Sequence, residues 1–255
     1  MRPKLILFGD SITEESFGEG GWGSALAHHF SRKVDVVLRG YSGYNTRWAL
    51  KVAERALDGL QAEEGEGSAG SAPGGGGDRH HRPPLAVTVF FGANDASLSD
   101  RISAFQHVPI AEYRHNLHAL ISLLKKRWPS TTVLLITPPP IDEDGRLRHP
   151  FAENPSGLPE RTNESAGAYA NACVAVAMEA NVPVVDLWSK MQLFLGWEKA
   201  FLRDGLHLTA DGNRIVFEEV AEKLRQHGLS PETLPADLPL LSEIDPLDPL
   251  RSFEN

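Results

Sequence analysis

A parallel β-sheet with helices on both faces is the α/β fold class that the sequence predicts, and three observations predict it. Five short apolar runs, at 4–8, 34–38, 85–91, 132–137 and 183–187, are rich in Val, Ile, Leu and Phe and lack polar alternation, as strands covered on both faces do. Helix-like stretches separate or follow them, at 22–30, 46–60, 110–128, 165–180 and 210–227, and strand alternating with helix gives a parallel sheet with right-handed crossovers. With 255 residues, 41% of them hydrophobic, the chain supplies the core of one sizeable domain, which we assign to 1–228.

The run at 4–8 leads into Gly9-Asp10-Ser11-Ile12. Gly9 allows a sharp turn out of the strand, and helix amides beyond it face whatever sits at the strand's end. Ser11 is therefore a candidate nucleophile; a plain helix cap is the alternative. In the 110–128 helix, Ile110, Tyr113, Leu117, Leu120, Ile121 and Leu124 form one apolar stripe, and in the last helix Val216, Val220 and Leu224 do so. The Ala-rich helix at 165–180 carries Cys173, the single cysteine, which reads as a small buried residue and fits a reducing compartment. Residues 63–82 form a flexible Gly-rich loop by composition. The 138–161 segment follows strand four, where a long loop acts as a lid or pocket wall. Its acidic stretch Asp142-Glu-Asp-Gly145 lacks calcium-loop spacing. Residues 229–255 hold five prolines and six acids against the lone Arg251, an acidic Pro-rich tail expected to wrap the surface or stay disordered, without chemistry.

A net charge of −9 excludes a nucleic-acid or anionic-membrane surface and leaves a small molecule as the expected partner. There is no room before the first strand for a signal segment and no apolar run near the ~18 residues of a membrane span. A cytoplasmic protein without a membrane span is the expectation.

Ligands of such sheets bind beyond the carboxyl ends of the strands, and the polar residues of interest cluster there. Strand two is followed by Arg39-Gly-Tyr-Ser-Gly43-Tyr-Asn-Thr46, and strand three by Gly92-Ala-Asn94-Asp95. A glycine N–H and an asparagine amide are parts of an oxyanion hole, and equally ordinary turn residues. Late in the chain, Asp204-Gly-Leu-His207 sets a carboxylate three residues before an imidazole, which supplies base and orienter together. Of the ten histidines only His207 has such a neighbour in a turn before a helix; an ordinary Asp-Gly turn is the alternative. Thr209 then caps the final helix. Asp10 and Asp95 read as turn residues bonded to backbone amides. Gly18-Glu-Gly20-Gly-Trp-Gly23 matches a dinucleotide fingerprint, with Arg39 as a phosphate contact. Its glycines come about ten residues too late, because a phosphate turn joins strand to helix directly.

Taken together, Gly-Asp-Ser11, Gly43, Gly92-x-Asn94-Asp95 and Asp204-x-x-His207 resemble, in order, the four blocks of the GDSL-type esterases and lipases of the SGNH hydrolase superfamily. The resemblance implies a flavodoxin-like three-layer sandwich, the SGNH hydrolase fold, with the nucleophile after the first of five parallel strands. It implies a triad of Ser11, His207 and Asp204, an oxyanion hole from the Ser11 and Gly43 N–H groups and the Asn94 amide, and no metal or cofactor. The 39–48 and 91–96 stretches look most like the isoamyl acetate-hydrolysing esterase branch, which implies short-chain acyl esters of small alcohols. The asparagine that branch has before Gly40 is replaced here by Leu38, or by Arg39 where it would adjoin the glycine, a change expected to touch packing at the turn. An acyltransferase, a longer-chain lipase, a lysophospholipase and a thioesterase would use the same triad and stay open, as does the oligomeric state.

Overall fold

Residues 2–58, 60 and 83–253 are described in a computed structural model. The Gly-rich stretch expected at 63–82 lies outside them. In chain order the elements are β1 (Lys4–Gly9), α1 (Ser11–Glu14), α2 (Trp22–His29), β2 (Asp35–Gly40), α3 (Thr46–Ala56), β3 (Ala86–Phe90) and α4 (Ile110–Arg127). There follow β4 (Thr132–Ile136), α5 (Glu143–Arg148), α6 (Asn163–Glu179), β5 (Val184–Val185), α7 (Leu187–Met191), α8 (Trp197–Ala200) and α9 (Ala210–Gln226).

The five strands pair in parallel in the order β2-β1-β3-β4-β5. Successive strand residues point to opposite faces, so β1 sends Leu5 and Leu7 to one core and Ile6 and Phe8 to the other. The first core is closed by Trp22 and Leu26 of α2 and Val216, Val220 and Leu224 of α9. Ala49 and Ala53 of α3, Tyr113, Leu117 and Leu120 of α4 and Val176 of α6 close the second. Helices on both faces make three layers. The strand order reverses between β1 and β3, and ligands of doubly wound sheets bind beyond the carboxyl ends at such a switch point.

Two strands depart from expectation. β2 pairs with β1 alone, and all six of its residues are only half-buried, so it is an edge rather than a strand covered on both faces. The fifth strand was expected at 183–187 and is only Val184–Val185. Asp186 accepts a hydrogen bond from the Ser189 amide and starts α7, which takes Leu187 into a helix. The third helix ends at Ala56 instead of 60, where the Arg39 guanidinium donates to the Ala56 carbonyl at 2.8 Å. Arg39 therefore holds a helix end and is committed away from any phosphate.

β1 and β2 are in register at Gly9 and Gly40, and α1 is folded down onto the end of β2. A Cβ on Gly40 would lie 2.1 Å from the Glu14 backbone nitrogen. Gly40→Ala is expected to cost at least about 1–3 kcal/mol and to lower Tm by several degrees, read by thermal melting. An unchanged Tm would mean that α1 moves freely on the sheet.

Cys173 is buried in α6, and burial pushes its thiol up to about 12. Leu229 and Leu234, from the acidic tail, pack on the first core beside Leu5, Phe30, Val34 and Leu85 at the amino end of the sheet. Arg2 bonds to Asp237 at 2.8 Å, Arg32 to the Leu238 carbonyl at 2.7 Å and Lys33 to the Leu234 carbonyl at 2.7 Å. Among the described residues no helix is long and apolar enough to cross a membrane.

Candidate active site

Ser11 is the first residue of α1, directly after β1. Asp10 caps that helix, its Oδ1 accepting from the Ile12 amide at 3.0 Å, and the Trp22 indole donates to the Ile12 carbonyl at 3.1 Å. These contacts fix the turn, so Ser11 is held at the carboxyl end of the sheet by a seat it does not itself supply. Asp10 is fully buried, and its Oδ2 has no partner among the described residues. Burial pushes its carboxyl up to about 7, against the Ile12 hydrogen bond and the nearby charges of His207 and Arg161.

His207 and Asp204 come from the turn before α9. An isolated antiparallel bridge between Leu202 and Leu208, and a bond from the Arg203 amide to the His207 carbonyl at 2.9 Å, close that turn. Inside it Asp204 Oδ1 accepts from the Leu206 and His207 amides at 3.0 and 2.7 Å. Its Oδ2 lies 2.7 Å from His207 Nδ1, and His207 Nε2 lies 3.0 Å from Ser11 Oγ. Burial pushes the Asp204 carboxyl up, but the His207 ring and the two amides outweigh it and hold the group well below the usual carboxylate range. An ionised Asp204 keeps the imidazole proton on Nδ1 and leaves Nε2 as an acceptor toward the serine hydroxyl. Thr209 accepts from the Gly212 amide at 3.1 Å and caps α9.

Asn94 lies in the loop after β3. Its Nδ2 donates to the Tyr44 carbonyl at 2.9 Å, and its Oδ1 accepts from Gln106 Nε2 at 3.1 Å and Arg161 Nη2 at 3.0 Å. Gln106 Nε2 also donates to the Gly43 carbonyl at 2.9 Å, so one amide ties Gly43 to Asn94. Gly43 has φ +77°, a conformation that favours glycine. Asp95 accepts from the Thr46 amide at 3.0 Å and from its hydroxyl, clamping the start of α3 to this loop. Burial pushes its carboxyl up to about 7, against those Thr46 bonds. The structure thus brings Ser11, His207 and Asp204 into one hydrogen-bonded line, and Gly43 and Asn94 into a second cluster on the adjoining loops.

The family model described as GDSL-like Lipase/Acylhydrolase matches residues 5–220. The chain belongs to this family. It is a GDSL carboxylic ester hydrolase, and its relatives agree. A GDSL esterase/lipase of Arabidopsis thaliana is 59% identical over 254 residues, covering 100% of this chain and 99% of its own. A mouse protein named isoamyl acetate-hydrolyzing esterase 1 homolog is 39% identical over 252 residues, covering 98% of this chain and 92% of its own. The crystal structure of a lipase/acylhydrolase from Enterococcus faecalis superimposes with TM-score 0.65 at 24% identity, covering 94% of this chain and 100% of that one, and shares the fold.

In this GDSL hydrolase the sequence reasoning missed Gln106, Arg146, Glu160 and Arg161, charged or polar residues that lie buried behind the site. It also missed a run of rings leading outward. Tyr44 packs edge-on against Trp48 at 5.7 Å between centroids, Trp48 stacks on Phe105 at 6.3 Å, and Phe105 meets Phe151 at 5.8 Å. Phe105 and Phe151 are more than half exposed. The run starts at the residue whose carbonyl Asn94 holds and ends on the 138–161 segment.

Proposed function

We propose that this GDSL hydrolase cleaves short-chain acyl esters of small alcohols, acetyl esters foremost, through an acyl-Ser11 intermediate. The observation that carries this is the unbroken line from Ser11 Oγ through the His207 ring to Asp204 Oδ2, at 3.0 and 2.7 Å. Nε2 takes the serine proton as Oγ attacks the ester carbonyl, and Asp204 stabilises the imidazolium that forms. The tetrahedral oxyanion receives the Ser11 and Gly43 N–H groups and the Asn94 amide. A carboxamide has two N–H donors, and Asn94 commits one to Tyr44, leaving the other for the oxyanion. Each such donor is worth roughly 2.7–4 kcal/mol in the transition state. The intermediate collapses, the departing alkoxide takes the proton from Nε2, and water activated by the same nitrogen releases the acid.

The name carried by the mouse relative supports the short-chain reading. One observation favours longer acyl groups: the half-buried Trp48 and the exposed Phe105 and Phe151 rings offer hydrocarbon a flank to lie on. Hydrolysis of p-nitrophenyl esters from acetyl to dodecanoyl decides between them. Rates that fall beyond butanoyl support the proposal, and a steady rise toward dodecanoyl replaces it with a lipase or lysophospholipase. Product analysis in mixed alcohol and water separates hydrolysis from acyl transfer.

A further inference from the structure

The middle of the 138–161 segment is exposed, yet four of its charged side chains are buried: Asp142, which pairs with Arg148 and Lys199, and three more. Arg146 is 4% exposed, Glu160 0% and Arg161 2%. Taking charges out of water costs several kcal/mol per ion, and an apolar cluster of the same size usually holds a loop as well or better. Their partners therefore need explaining. Arg146 places Nε and Nη2 on Glu160 Oε1 at 2.8 and 2.6 Å, while its Nη1 reaches the Asp204 carbonyl at 3.1 Å and Asp204 Oδ2 at 3.3 Å. Arg161 places Nη1 on the same Glu160 oxygen at 3.1 Å and Nε on the Ala93 carbonyl at 2.8 Å. Its Nη2 bonds to Asn94 Oδ1 at 3.0 Å and Gln106 Oε1 at 2.9 Å. One continuous chain of bonds therefore runs from Asp204 through Arg146, Glu160 and Arg161 to Asn94.

Each end of that chain meets a group whose orientation matters to the chemistry. A carboxamide is nearly symmetric in shape, and its two ends differ only in hydrogen bonding. Two donors on Oδ1, from Arg161 and Gln106, force the Asn94 NH2 to face the other way, where Tyr44 takes one of its hydrogens. A flipped amide would turn oxygen toward the developing oxyanion and repel it. At the other end Arg146 is anchored on the Asp204 carbonyl and reaches its Oδ2 as well, so the carboxylate cannot rotate off His207 Nδ1 without also giving up its contact with Arg146. Glu160 Oε2 has no partner among the described residues, so half of the central carboxylate goes unused, which is poor economy for a clasp selected only for stability.

We infer that Arg146 and Arg161, joined through Glu160, are positioning residues that act on the reaction through Asp204 and Asn94 respectively, so that one loop sets both halves of the site. The inference rests on the roles given to Asp204 and Asn94 above.

Two double-mutant cycles in kcat on p-nitrophenyl acetate test it, run well below the Tm of every variant: Arg161→Lys with Asn94→Ala, and Arg146→Lys with Asp204→Asn. Lysine keeps the charge and loses the fork. Each lysine variant is expected to lower kcat roughly tenfold in the native background, with KM changed less than about threefold, and to have little further effect once its partner is gone. A purely structural clasp gives effects that multiply in both cycles, and that result overturns the inference. Asn94→Ala or Asp204→Asn retaining the full rate would instead overturn the roles beneath it. Should a lysine variant fail to fold, Glu160→Gln, nearly the same in shape, is read in both cycles; full kcat in Glu160→Gln overturns the inference as well.

Discussion

Ser11→Ala is expected to lower kcat on p-nitrophenyl acetate by at least about 10⁴-fold and to leave a folded protein. The fold survives because Asp10 and Trp22 hold the turn through the Ile12 backbone, and the serine side chain contributes one hydrogen bond, to His207. Losing it changes Tm by no more than about 2–4 °C. Residues that act as a unit are strongly non-additive, so His207→Ala costs about as much as Ser11→Ala, and the double variant little more than either. A fluorophosphonate probe is expected to label Ser11 in the native enzyme and neither variant. Equal rates in native and Ser11→Ala protein would remove Ser11 from the reaction.

Asp204→Asn is expected to cost about 10⁴-fold in kcat, the scale of a wrong imidazole tautomer. The local bonding dictates which way the new amide points. The Leu206 and His207 amides both donate to Oδ1, so the amide oxygen goes there and the NH2 faces His207 Nδ1. That nitrogen must then accept, the ring proton moves to Nε2, and the serine loses its base. Asp204 also links pH to stability. It binds its proton more weakly in the fold than in the unfolded chain, so below its ordinary value of 3.8 the unfolded chain takes up more protons and stability falls as the pH falls. At neutral pH that contribution is fully present. Melting curves of Asp204→Asn are expected to lose this part of the acid destabilisation; an identical acid slope in both proteins would mean that Asp204 is not held by its ring and amides.

What the sequence showed in advance was what local bonding controls. Ser11 follows an apolar strand, Asp204 and His207 share one turn, and Thr209 caps the helix after it; each is decided within a few residues of chain. The network behind the site is decided elsewhere. Arg161 reaches Asn94 across 67 positions and Arg146 reaches Asp204 across 58, and in sequence both look like charges on a solvated loop. Burial is the only property that marks them, and it belongs to the fold. The fifth strand was overextended for a related reason: Val184, Val185 and Leu187 share one apolar run, while the single side chain of Asp186 turns the backbone from strand to helix.

The tail packs at the amino end of the sheet, whereas Ser11 and Asn94 open at the carboxyl end. The two poles are thereby free to serve different purposes. Cys173 is the single cysteine, and it is buried with its thiol pushed up. A cysteine introduced at the exposed Leu238, whose carbonyl is held by Arg32, would offer a lone reactive handle on the pole away from Ser11. The enzyme can then be fixed to a bead or a surface in one orientation, with its mouth turned toward the solution that carries the ester.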